Sequence, residues 1–175
     1  ICKTFKDTID INKQDNDGST VLMTIAQCKE DEKMMQYLCE TFKDTININM
    51  VDKYGHTLLM IAVQDNTNEK VTHYLCNRFK NTIAINKKDT NGYTALTLAV
   101  LYNRNEKVAR CLCDTFKKVI DINLLDITGN NALMFAAQYK KSEELIQYLC
   151  DTFKDTININ QGNKDGRTVL MTIAQ

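Results

Sequence analysis

The octapeptide TVLMTIAQ stands at Thr20–Gln27 and returns letter for letter at Thr168–Gln175. The two copies are 148 residues apart, which is four times 37. That step recurs along the chain. The glycines at 18, 55, 92, 129 and 166 keep it, and so do the cysteines at 2, 39, 76, 113 and 150. Phe5, Phe42, Phe79, Phe116 and Phe153 follow it, as do Asn12, Asn49, Asn86, Asn123 and Asn160. A fixed period of this length is the signature of a repeat architecture, in which one supersecondary unit is stacked on the next. The opening ICKTFKDTIDIN matches LCETFKDTININ at 38–49, the end of a unit. The chain therefore begins late in one unit and stops early in another. It is expected to be a window on a longer array: one solenoid domain over 1–175, with four complete units and partial units at both ends.

The unit from Asp52 to Asp89 reads as follows. Asp52-Lys53-Tyr54-Gly55 is a turn, in which Asp bonds nearby backbone and Gly is free to take positive φ. Two residues after each glycine come Thr20, Thr57, Thr94, Asn131 and Thr168, all good helix N-caps. A short first helix follows, with Leu22, Leu59, Leu96, Leu133 and Leu170 in register and small or β-branched residues behind them. A polar connector ends in Asp31, Asn68, Asn105 or Ser142, each followed by Glu. That is a second N-cap with an acid placed where the helix dipole favours it. The second helix carries Val71, Tyr74, Leu75, Cys76 and Phe79 on one apolar stripe. An Ile-x-Ile-Asn piece, strand-like in composition, leads into the next turn. Such a unit cannot bury its own apolar face, so single units are expected not to fold and neighbours must stack. The fold class that follows is an all-α solenoid of turn–helix–helix repeats, with no sheet beyond hairpin-like contacts.

This unit resembles the ankyrin repeat. The family pattern D-x-x-G-x-T-P-L-H-x-A-A appears here as Asp89-Thr-Asn-Gly92-Tyr-Thr94-Ala-Leu96-Thr-Leu-Ala99-Val100. Three features depart from it. The Pro is Val, Leu or Ala; the His is Met or Thr; and the unit has 37 residues, the extra length lying around the second helix and its exit. The resemblance implies a concave groove lined by turn tips and first helices, on which such arrays bind protein partners.

The composition excludes several other functions. Lys+Arg and Asp+Glu are both 22, giving zero net charge, and no basic stripe of a nucleic-acid binder is present. No run of 18 apolar residues spans a membrane. The two histidines, His56 and His73, belong to no catalytic or metal-binding motif, and no Gly-rich phosphate loop occurs. We therefore expect no enzyme activity, no cofactor and no metal. Adjacent ankyrin-like units stack about 10 Å apart, whereas a disulfide needs Cα atoms within about 7 Å, so the cysteine ladder cannot bridge itself. Its register with the apolar stripe makes it a row of small hydrophobes. All seven cysteines are expected to be reduced and the setting cytosolic.

The tyrosines divide into two groups. Tyr37, Tyr74 and Tyr148 share one second-helix position, where Cys111 replaces them in the third unit. Tyr54, Tyr93, Tyr102 and Tyr139 fall instead at turn tips and first-helix ends, at positions that vary between units. With His56, Leu101 and Ile127 they form the candidate protein-binding set. Tyrosine suits that role because it offers a large apolar area, a polar end and few torsions to freeze. The expectation is a monomeric interaction module that binds a protein or peptide on its concave face. The alternative is a target-positioning array of a larger enzyme or secreted effector, with the catalytic part outside this chain.

Overall fold

The computed structural model describes residue 4 and residues 7–28, 32–64, 69–102, 106–139 and 143–174. Within these, the helices in chain order are α1 (Val21–Ala26), α2 (Glu32–Thr41), α3 (Leu58–Gln64), α4 (Glu69–Arg78), α5 (Ala95–Tyr102), α6 (Glu106–Phe116), α7 (Ala132–Gln138), α8 (Glu143–Thr152) and α9 (Val169–Ile173). The odd-numbered helices pack side by side in one row and the even-numbered ones in a second row. Among the described residues there is no strand, only the isolated bridges Gln14–Thr20 and Val51–Thr57 at the necks of hairpins. The architecture is the helical solenoid that the 37-residue period implies.

The start of each first helix is set locally. Thr20, Asn131 and Thr168 cap α1, α7 and α9 by accepting the amides of Met23, Met134 and Met171. Thr57 and Thr94 do the same for Met60 and Thr97. The residue that replaces the family's His has its own part in the cap. The Met23 and Met60 sulfurs accept the amides of Thr20 and Thr57 at 3.5 and 3.3 Å, and the Thr97 hydroxyl meets that of Thr94 at 3.1 Å. The second caps expected at Asp31, Asn68, Asn105 and Ser142 lie outside the described residues. Their companion acids Glu32, Glu69, Glu106 and Glu143 do open α2, α4, α6 and α8.

Packing follows the register. Leu22, Leu59, Leu96 and Leu133 are at most 3% exposed, while Leu170, on the last unit, is 62% exposed. The same residue type at the same local position is thus buried only where the next unit covers it. Ala62, Ala99 and Ala136 are buried where first helices meet, and small side chains there permit close approach. Phe42, Phe79, Phe116 and Phe153 fill the space at the exits of the second helices.

The Ile-x-Ile-Asn piece is not a strand. It runs through tight turns that bury Ile48, Ile85 and Ile122, and no partner strand lies beside it. Its register asparagine is an inter-unit clamp. Asn49 donates from Nδ2 to the Thr82 carbonyl at 2.7 Å and accepts the Ala84 amide on Oδ1 at 2.8 Å. Asn12, Asn86 and Asn123 each make the same pair of bonds to the following unit. Asn86→Ala leaves the Val119 carbonyl and the Asp121 amide without these partners. It is expected to cost about 1–3 kcal/mol in urea denaturation. In this chain the Asn160 side chain makes no such pair of bonds, so it should tolerate alanine within about 0.5 kcal/mol. Equal losses at both positions would contradict the clamp.

Candidate functional site: the hairpin and first-helix surface

The turns between units project as hairpin tips, and each tip is built by one carboxylate or amide. Asp52 Oδ1 accepts the amides of Tyr54 and His56, and Asp89, Asp126 and Asn163 repeat this in their own turns. Successive tips are joined edge to edge by one backbone bond apiece. The amides of Lys53, Thr90, Ile127 and Lys164 donate to the carbonyls of Asp17, Tyr54, Asn91 and Thr128 at 2.8–3.1 Å. The glycines at 18, 55, 92 and 129 lie where this contact is tightest. Gly92 has φ +83, and a β-carbon there would sit 2.8 Å from the Asp126 Cα. Glycine is thus required both by conformation and by the approach of the next backbone.

The tips and first helices carry the seven candidate residues, in two groups. Tyr54, 53% exposed, stands beside His56 with ring centroids 5.9 Å apart, and the Lys53 ammonium lies 5.0 Å over its ring. His56 is half-buried between units. Its Nδ1 is 3.1 Å from Asp52 Oδ2, and its Nε2 is 3.5 Å from Asp89 Oδ2 in the next tip. It therefore positions the tips more than it offers open surface.

The second group centres on a residue that the sequence did not single out. Phe135, 5% exposed on α7, receives Tyr93 edge-on at 5.7 Å and stacks with Tyr139 at 6.3 Å. Tyr93 is half-buried. Burial first, then the proximity of Asp126, Tyr102, Tyr139 and Asp89, raises its phenol pKa. Tyr93, Tyr102, Tyr139 and Phe135 are thus neighbours across two units. Tyr102 is 52% exposed, Tyr139 57% and Ile127 57%, while Leu101 is half-buried against the core. The signal for Phe135 was its register: that position holds Thr24, Ile61, Leu98 and Thr172 elsewhere, so the fourth complete unit alone places an aromatic there.

Away from the first unit and the last, the exposed large apolar side chains among the described residues are Tyr54, Tyr102, Val119, Ile127 and Tyr139. Four of these five lie on the tips and first helices, so the exposure is concentrated on one side. Among the described residues, no group of His, Cys, Asp and Glu is arranged to hold a metal ion, and no helix is long and apolar enough to cross a membrane.

Comparisons agree with this architecture. The family model for ankyrin repeats, in three copies, matches residues 1–88, 45–124, 76–161 and 108–175, which together span the chain. No curated protein shows a significant match. Among solved structures the chain is similar to one described as a predatory endopeptidase from Bdellovibrio bacteriovorus in complex with an immunity protein. The TM-score is 0.74 and the identity 26%, over 98% of this chain and 82% of that one. As many as 550 solved chains match, so the fold is too widely used to name a partner by itself. The chain belongs to the ankyrin-repeat family, whose repeats serve as protein-interaction modules.

Proposed function

We propose that the chain binds a folded protein or peptide on its concave side, through Tyr54, Tyr93, Tyr102, Ile127 and Tyr139, with His56 and Leu101 holding the contact surface in shape. The observation that carries this reading is the gathering of four of the five exposed large apolar side chains of the internal units on one side. Scattered surface apolar residues are ordinary, but their gathering on one side of a repeat scaffold favours an interaction surface there. Phe135 gives Tyr93 and Tyr139 a fixed backing, so little side-chain freedom is lost on binding. The similar structure contains an endopeptidase and an immunity protein, which supports a protein as the partner. In this reading the chain is a monomeric cytosolic binder without a reaction of its own.

A photocrosslinking amino acid placed in turn at 54, 102, 127 and 139, and at the exposed positions 77 and 119 as controls, tests the assignment. One and the same partner should crosslink from the first four positions and not from the controls. Crosslinks from 77 and 119 alone would overturn the site.

A further inference from the structure

We propose that the second-helix exits of the second and third units form a basic cleft that binds an extended acidic segment of a protein. The inference is independent of the aromatic contact surface, because no tip or first-helix residue lines the cleft. It starts from a charge imbalance in the repeat. Lys43, Lys80, Lys117 and Lys154 keep the 37-residue step, and the residues that follow them are Asp44, Asn81, Lys118 and Asp155. In the first and fourth units the lysine has an acid beside it in sequence, and in the middle two it does not. The wider segments differ in the same sense. ETFKDTININMV at 40–51 and DTFKDTININQG at 151–162 each carry one lysine and two acids, whereas NRFKNTIAINKK at 77–88 carries four cations and no acid. The chain is neutral as a whole, so this is a local excess and not a stripe along the array.

The structure gathers these cations at two adjoining hollows. One, of about 630 Å³, is lined by Lys43, Arg78 and Lys80 and by no carboxylate among the described residues. The other, of about 530 Å³, is lined by Lys80, Lys117 and Lys118, and the two share Lys80 and Asn81, which makes them one cleft across the unit boundary. All five cations are exposed. Arg78 donates from Nε to Glu40 at 2.9 Å. Among the described residues no carboxylate lies within ion-pair distance of Lys43, Lys80, Lys117 or Lys118. Asp114, the acid in the second lining, accepts the Tyr148 hydroxyl. The lysines therefore present positive charge that the array does not neutralise at close range.

The layout suits a chain of anions. Neighbouring helices pack about 8–10 Å apart, and an extended peptide rises about 3.3 Å per residue. A carboxylate at every third residue therefore meets Lys43, Lys80 and Lys117 in turn. Val119, 58% exposed, lines the cleft where other units have Thr45, Thr82 and Thr156, and it offers an apolar contact to the aliphatic part of a bound chain. The Asn77 and Asn81 amides line it as well and can hydrogen-bond a peptide backbone. Neither lining offers an exposed aromatic ring on which a nucleic-acid base would stack, since Phe79 and Phe116 are buried. Because Asn77 and Val119 belong to this cleft, an acidic protein captured there is a second partner, distinct from the one held at 54, 102, 127 and 139.

The test is fluorescence anisotropy of a labelled peptide with glutamate at every third residue, titrated with the full chain. The parent should bind it saturably at physiological salt and release it as salt is raised. The same peptide with lysine in place of glutamate should not bind. Asn81→Asp with Lys118→Asp restores the acid that the array itself carries at 44 and 155, so this variant should fold and bind at least about tenfold more weakly. Lys80→Gln, a change at one exposed side chain, should weaken binding severalfold. Lys154→Glu, on the same ladder but beside Asp155, should leave the affinity unchanged. Absence of saturable binding by the parent would overturn the proposal, as would equal weakening by Lys154→Glu and Lys80→Gln. So would tighter binding of oligothymidylate or of phosphatidylserine vesicles than of the peptide, which would make the cleft a nucleic-acid or membrane contact.

Discussion

Gly129→Ala is expected to lower stability by about 3 kcal/mol, and Gly166→Ala by only about 1 kcal/mol, although both replace the same residue of the same turn. Both glycines have positive φ, +86 and +74, so alanine is strained at either. The difference comes from the neighbouring tip. A β-carbon on Gly129 would lie 2.7 Å from the Lys164 nitrogen and 3.1 Å from the Asn163 Cα, whereas at Gly166 nothing lies within 4 Å. The atoms in the way are backbone, and the Lys164 amide is held by its bond to the Thr128 carbonyl at 3.1 Å. Relief requires parting the two tips, which loosens one of the contacts that join neighbouring units. Urea midpoints of the two variants measure this, and equal shifts would mean that the tips do not press on one another.

The second large effect is on binding. Tyr102→Ala with Tyr139→Ala should weaken the partner complex more than tenfold, since interface anchors commonly cost at least about 2 kcal/mol each and about 1.4 kcal/mol is tenfold. Both side chains are more than half exposed, so the melting temperature of the free chain should scarcely move. Tyr93 is a less clean probe. Unlike Tyr139, which also touches Phe135 but is 57% exposed, it is half-buried, so its truncation is a stability change as well as a binding change. Titration calorimetry on the double variant separates the two. Unchanged affinity with an intact fold would remove Tyr102 and Tyr139 from the interface.

Much of the fold was legible in the sequence because it is written in local terms. A threonine or asparagine two residues after a glycine is a cap wherever it occurs, and the glycine spacing fixes where units begin. What escaped depends on contacts 33 to 37 residues away. The asparagine at 49 or 86 is visible as a repeated letter, but its amide acquires a purpose only when the next unit is stacked against it. The neighbouring isoleucines suggested a strand, yet the backbone beside them is held by turns and by that asparagine. His56 read as a tip residue free for contact, and the carboxylate of Asp89 that claims one side of it belongs to the following turn. The tyrosines were singled out by their variable register. Phe135 was not, because a buried aromatic on an apolar helix carries no mark of what it supports.

Hydrogen exchange of the free chain and of its complex tests the central claim most directly, because it reads every unit at once. With the isolated partner bound, amides of the tips at 52–57, 89–94 and 126–131 and of α5 and α7 should slow at least tenfold, while those of α4, α6 and α8 keep their free-state rates. Slowing confined to α4, α6 and α8, with the tips unchanged, would place the interface on the other side and contradict the account.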